Sequence, residues 1–436
     1  MAQFRKDTHQ YLNDGRTIFE VVMVADQDGN VVGAGNPTGT AIDAFGRART
    51  SQPFTLFDSF NRYEDDGKFA YANTANGSYA FIANTASVDL TVTNTASTYV
   101  YTETKRVFAY QPGKSIQVLQ TFVMNPSKTN LQQRVGYFGA NNGFFLERSD
   151  NVYFVERSSV TGSVQDTKTA QSDWNIDPLD GTGQSGLTLD LDSPQILFID
   201  IEWLGVGSVR MGFVINGRLI HCHTFHHANI STAPKGAYIQ TACLPLRMEI
   251  ENTAATASNS TLKRICGTVI SEGGYELTGK PRIIGQLPTN SNSISLDTAG
   301  TFYPVVSIKL HSNTMDAIVL PKQIDLLPIT AANYRWEIVE GATIAGAVWA
   351  NVSSSATPVQ YNTNTSATMS GGTVLNGGYL TSTVQGGGYL NLTDGIFKYQ
   401  LERDTFANTT TTWTLAVAAG TSTSNVCGQI LWEELT

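Results

Sequence analysis

The feature that most narrows the possible folds is a missing one. No segment sustains apolar residues at helical spacing for more than about ten positions. Short alternating segments recur in its place, separated by Gly, Asn, Asp or Pro. That rhythm belongs to an all-β chain whose strands bury one face and wet the other. Composition agrees, since only 15% of the residues are charged, and Ser, Thr, Asn and Gly fill the gap. These are poor helix formers suited to strand faces and tight turns. At 436 residues, 41% of them hydrophobic, the chain is too long for one ordinary core, and two or three domains are expected.

Three parts are expected. Residues 1–65 read as an N-terminal arm with a hairpin: a strand from Ile18 to Val24, a turn at Asp26–Asn30, and Val31-Val32-Gly33. The arm continues into an aromatic stretch without clean periodicity, Phe45 to Phe60, which should lie against another surface. Within it Phe45, Arg47, Arg49, Phe54 and Phe57 are the expected assembly-interface residues. Residues 66–275 read as a large antiparallel sandwich. Its surest pieces are the run Ile196 to Trp203, a hairpin of Phe144–Arg148 with Val152–Arg157, and a hairpin closed by Asn216-Gly217. Asn-Gly supplies the two positive φ angles of a type I′ turn. Residues 276–436 read as a polar linker through Ser295 and then a smaller β-domain. Its Gly-rich middle (Gly371-Gly372, Gly377-Gly378, Gly386–Gly388) is expected to form loops or tight turns, and its Trp432-bearing last strand ties down the C-terminus.

The formal charge of −9 and pI near 5.2 argue against a nucleic-acid partner, although Arg47, Arg49 and Arg62 form one local basic patch. No run of 18 apolar residues is present, so no membrane insertion is expected, and the start Met1–Lys6 lacks the apolar core of a signal peptide. Cys222, Cys243, Cys266 and Cys427 form no CxxC pair. Free, mostly buried thiols of a reducing compartment are expected.

Several long stretches resemble virion structural proteins of tailed marine bacteriophages. They are Phe45–Ser59, the Asp-rich Asp173–Gly186, Phe198–Gly207, Asp316–Leu320 and Ala332–Trp336, so the resemblance spans nearly the whole chain. It implies a particle component with a concanavalin A-like, lectin-like jelly roll in its middle, and it implies no catalytic residues.

Three constellations bear on chemistry. His221-Cys222-His223-Thr224-Phe225-His226-His227 offers five candidate metal ligands. On a regular strand His221 and His223 share one face and make a half-site for zinc. The plainer reading is a hydrogen-bonded sheet cluster with Cys222 in the core, or a pH-sensitive interface. Asp200 and Glu202 share a strand face, as acids of a polysaccharide depolymerase would. Same-face neighbours are roughly 7 Å apart along a strand, wider than the ~5–5.5 Å of a retaining pair, and position 198 is Phe198 rather than a third acid. A salt bridge from this pair to Arg210 is the alternative. Asp173, Asp177, Asp180, Asp190 and Asp192, like Asp26–Asn30, could supply calcium oxygens, but EF-hand spacing is lacking and plain turns suffice. Trp174, Tyr153 and Tyr137 are candidate glycan contacts on the middle domain.

The expectation from sequence is a non-enzymatic virion protein, made in the host cytoplasm, that assembles with other virion proteins and with copies of itself. A trimer is expected by analogy of fold style. A carbohydrate-binding adhesin contacting host glycan is the alternative, and a depolymerase the more distant one. No cofactor is expected unless zinc or calcium fills one of the clusters above.

Overall fold

A computed structural model describes residues 10–13, 18–21, 24–25, 31–32 and 52–435, the last range without 231–235, 277, 290, 353–356, 383–387 and 392–399. Residues 1–53 and 54–436 form two separate units. In the first, Val24–Ala25 pairs antiparallel with Val31–Val32 at the expected hairpin, while Ile18–Val21, expected to run on in the same hairpin strand, pairs with Gln10–Asn13 instead. Phe45, Arg47 and Arg49 lie outside the described residues.

The second unit is almost wholly β. Among the described residues its only helices are single 3-10 turns, as at Gln171–Asp173, and no helix is long and apolar enough to cross a membrane. Among the described residues every strand pairing is antiparallel, and the unit contains two sandwich-like pairs of sheets.

In the first pair, a seven-stranded front sheet runs Gln165–Ala170, Val152–Ser158, Gly143–Arg148, Leu131–Phe138, Leu246–Asn252, Tyr99–Thr104, Phe69–Asn73. An eight-stranded back sheet runs Arg218–Phe225, Val209–Ile215, Gln195–Ile201, Ser115–Val123, Ser260–Glu272, Ser87–Val92, Gly77–Ile82, with Phe54–Phe60 added alongside Ser260–Glu272. Strand alternation delivers one core from both sheets: Val135, Phe144, Leu146 and Ile250 from the front meet Val118, Leu197, Ile199 and Met211 from the back. Asn216 and Gly217 sit at φ 52° and 73°, as the type I′ turn requires.

The segment expected to remain an arm up to residue 65 therefore contributes a strand of the sandwich. Phe57 is buried against Phe69 and Phe108, and Phe54 stacks on Tyr275 at 5.8 Å. Both were expected at an assembly interface. Pairing with Ser260–Glu272 turns Phe57 into the core instead.

The C-terminal pair has a five-stranded sheet (Lys280–Gly285, Ser424–Leu435, Ile318–Pro328, Gly388–Asn391, with Ile294–Leu296 on Ser424–Leu435) and a six-stranded one (Ala350–Asn351, Val359–Asn362, Tyr303–Leu310, Trp413–Ala419, Ala332–Glu340, Thr373–Ser382). Trp413 and Trp432 fill its core. The start of the expected linker is a strand here, because Lys280–Gly285 finds the edge of Ser424–Leu435. Gly377-Gly378, expected in a turn, lies inside the Thr373–Ser382 strand. A Cβ at Gly378 would fall 2.9 Å from the Trp336 ring, so the glycine is what lets that indole lie flat on the sheet. Gly371 and Gly372 do form the expected turn, at φ 67° and 88°.

Charge and apolar contact together join the two sandwiches. Arg403 reaches Glu103 at 3.0 Å, the Thr104 carbonyl at 2.7 Å and Asp316 at 3.0 Å, while Arg106 pairs with Glu402 at 2.7 Å. Val107 packs with Ile318 and Leu320 beside them. Arg403 is nearly inaccessible, so truncating it leaves the equally buried Glu103 short of a partner. Arg403→Met is expected to cost roughly 3 kcal/mol. Urea denaturation followed by tryptophan fluorescence should show the C-terminal sandwich, which holds Trp413 and Trp432, melting ahead of the first.

Candidate functional site

The outer face of the front sheet carries the most organised polar chemistry among the described residues. With Val135, Leu146 and Ile250 turned inward, the alternate positions point away from the core: Arg134 on Leu131–Phe138, Glu147 on Gly143–Arg148, Arg247, Glu249 and Glu251 on Leu246–Asn252, and Tyr101 and Glu103 on Tyr99–Thr104. They form one continuous chain of ion pairs. Lys168 meets Glu147 at 2.5 Å, and Glu147 meets Arg134 at 2.8 Å. Arg134 meets Glu249 at 2.8 Å, Glu249 meets Arg247 at 2.7 Å, and Arg247 meets Glu103 at 2.6 Å. Arg134 also binds Glu251 and Gln132, and Tyr101 donates its hydroxyl to Glu251.

Burial would raise the Glu147 and Glu249 carboxyls. Arg134, with Lys168 at Glu147 and Arg247 at Glu249, more than offsets it and holds both below the usual carboxylate range. Phe138 and Phe145 are fully buried on this outward face because guanidinium groups cover them, Arg157 5.0 Å above the Phe145 ring and Arg247 5.7 Å from that of Phe138. The arrangement needs Gly136, where an added Cβ would lie 2.5 Å from the Phe145 Cα. None of the exposed large apolar side chains belongs to a front-sheet strand. What faces solvent is a strip of polar heads and half-exposed rings: Lys168, Tyr153, Gln132, Glu251, Tyr101 and Tyr99.

Of the three expected glycan residues only Tyr153 lies here, half-buried with Lys168 5.4 Å above its ring. Tyr137 is fully buried, donating to the Ala242 carbonyl at 2.9 Å and accepting from the Leu244 amide. Trp174 stacks on Phe154 at 4.0 Å as a plug over the core. Tyr137 is a core residue because its position on Leu131–Phe138 alternates inward, and Trp174 is one because the turn at Gln171–Asp173 lays its ring on Phe154. The ladder itself went unpredicted, although the period-2 pattern Arg247-Met248-Glu249-Ile250-Glu251 was a signal for it.

His221 and His223 do not form a half-site. A bulge opposite Met211 and Gly212 breaks the alternation between them. His221 then lies near Phe198 and shares Nε2 with Thr224 Oγ1 at 2.9 Å, whereas His223 sits beside Phe154 and Phe225 and accepts the Asn175 amide at 3.3 Å. Cys222 is in the core, as expected. All four cysteines are free, two of them buried and Cys266 exposed. Among the described residues no three His, Cys, Asp or Glu side chains converge as a metal site. Four of the five acids of Asp173–Asp192 serve the chain itself. Asp177 accepts the Leu179 and Ser185 amides, Asp180 and Asp190 cap their own turns, and Asp192 pairs with Arg148. Asp200 pairs with Arg210 at 3.3 Å, its directly opposite residue, and Glu202 lies beyond the strand end, exposed.

No family model and no curated protein matches the chain. Solved structures match about half of it, at low similarity. A protein of unknown function from Shewanella oneidensis MR-1 is 12% identical over 54% of this chain and 91% of its own, with a TM-score of 0.33. Arcelin-5, a lectin-like defense protein from Phaseolus vulgaris, is 9% identical over 52% of this chain and 100% of its own, TM-score 0.30. The CBM2 module of the evolved Dit of Lactobacillus casei BL23 phage J-1 is 7% identical over 52% of this chain and 100% of its own, TM-score 0.32.

His223 makes a pH prediction. Burial, and after it His221 and His226, lowers its pKa from the usual 6.5 to about 4. The folded state therefore prefers the neutral ring. This contribution is complete above pH 6.5 and is lost as the pH falls through 6.5 toward 4, by on the order of 2–3 kcal/mol. In His223→Asn the amide oxygen can still accept from Asn175. Urea midpoints of that variant should fall less steeply across this window than those of the parent protein, the remaining slope coming from His221 and from carboxylates such as Glu147 and Glu249.

Proposed function

We propose that this chain is a non-catalytic virion protein that recognises carbohydrate on the outer face of its front sheet. One observation carries the reading: that face is polar, pinned by reciprocal ion pairs and flanked by Tyr99, Tyr101 and Tyr153, without an exposed apolar anchor among the described residues. A sugar offers many hydroxyls and one weakly apolar ring face, so it gains from fixed carboxylate, amide and ammonium heads beside aromatic rings. A protein partner would be expected to seat apolar or aromatic anchors in a dry centre. The ladder also lowers the entropy cost of binding, because its side chains are already held. Two large antiparallel sheets closing on one core support the concanavalin-type reading of the first sandwich, and the resemblance in the sequence supplies the virion. Asp200 and Glu202 are assigned no catalytic step, since Asp200 is engaged by Arg210 and Glu202 stands off the strand.

A purely assembly-forming role is the second reading. Phe60 and Tyr63 favour it, 56% and 80% exposed at the start of the sandwich unit, with Arg62 stacked on Tyr63 at 4.9 Å.

The discriminating measurement is binding of the full chain to an array of bacterial surface polysaccharides. Capture of at least one glycan is expected, falling tenfold or more in Tyr101→Ala and Glu251→Gln while the unfolding free energy stays within about 1 kcal/mol of the parent. Absence of glycan binding, together with co-sedimentation with assembled particles that is lost in Phe60→Ser/Tyr63→Ser, would move the conclusion to the assembly role.

A further inference from the structure

The Thr373–Ser382 strand ends the six-stranded sheet, pairing with Ala332–Glu340 on one side, and among the described residues no strand pairs with its other edge. Its sequence, Thr-Val-Leu-Asn-Gly-Gly-Tyr-Leu-Thr-Ser, contains no Lys, Asp, Glu or Pro. Those are the residues by which free edges are normally protected from pairing with another chain. In a protein with a net charge of −9, ten successive uncharged edge positions mark where a strand can approach without repulsion.

The outer face of this strand is incomplete in a specific way. Gly378 faces inward under Trp336, so Gly377 and Tyr379, one position to either side, both face outward. Tyr379 is 79% exposed, touched on its inner side by Arg335 at 5.8 Å, and Gly377 leaves bare backbone next to Glu337. An aromatic ring opposite a glycine across a strand pair covers the exposed backbone and is a recognised stabilising arrangement.

The two halves of that arrangement lie two residues apart on one strand, so the strand is complementary to itself. We propose that the Thr373–Ser382 edge pairs antiparallel with the same strand of a second copy, about a twofold axis through Gly378, each Tyr379 ring lying over Gly377 of the other copy. Both residues face the same side, and an axis perpendicular to the sheet preserves sides, so the register is sterically consistent. Charge agrees with it. Arg335 lies opposite Tyr379, and Glu337 opposite Gly377. Each row across the joint therefore holds one arginine and one glutamate of the other copy, and like charges never share a row. The contact is isologous and closes on itself. It is independent of the carbohydrate reading.

Light scattering on the full chain at tens of micromolar tests it. The parent protein is expected at about twice 47.2 kDa. Tyr379→Asp removes the ring and sets a carboxylate in the same row as Glu337 of the second copy, and Asn376→Lys charges the edge. Each should weaken association at least tenfold without moving the thermal midpoint, because both side chains are exposed. If one variant loses its fold, the other decides. Hydrogen exchange gives a second readout, with backbone amides at 376–380 becoming less protected on dilution of the parent protein. A monomer at these concentrations, a threefold mass, or an assembly unmoved by the folded variants would overturn the proposal.

Discussion

Glu103 is gripped by two guanidinium groups that come from different halves of the molecule, Arg247 on its own sheet and Arg403 from the C-terminal sandwich. A carboxylate this deeply buried would be costly without compensation, and here each oxygen has a cationic donor and one also accepts from Thr405. The same Arg247 passes the pairing on to Glu249, and from there it runs through Arg134 to Glu147 and Lys168. The joint between the sandwiches and the polar face proposed for ligand recognition are thus ends of one network. Its members are mutually satisfied, which is the condition under which buried polar networks rigidify a structure.

That continuity explains why the front sheet can expose a charged face and still bury Phe138 and Phe145 on it. The rings are covered by the planar faces of Arg157 and Arg247, whose edges remain hydrogen-bonded to carboxylates. Arginine can do both at once because its guanidinium is flat and weakly hydrated. A lysine at either place would keep the charge and lose the cover. Gly136 is the matching constraint on the backbone side, since the Phe145 strand approaches too closely there for any side chain.

Much of the architecture was readable because strands announce themselves by alternation and turns by composition. The Asn216-Gly217 hairpin, the Phe144–Arg148 hairpin and the terminal Trp432 strand all follow from local pattern. Where local pattern misled, a distant partner was responsible. Gly377-Gly378 looks like a turn until Trp336 is placed over it, and Phe57 looks like an interface residue until Ser260–Glu272 is placed beside it. The candidate site was less legible. Tyr137, Tyr153 and Trp174 are chemically similar on paper, and what separates them is strand register for the two tyrosines and the packing of a turn onto Phe154 for Trp174.

Alternation of apolar residues and the scarcity of helix formers were enough, by themselves, to determine an all-β chain with several cores, because period-2 burial is a property of each strand alone. Which strands lie side by side is a property of pairs far apart in the chain. Only tertiary structure decided that Arg134 meets Glu147 and Glu249, that a bulge parts His221 from His223, and that Arg403 closes the joint at Glu103. Ion-pair energy falls off within a few ångströms and depends on burial, so these partnerships exist only once the sheets have formed.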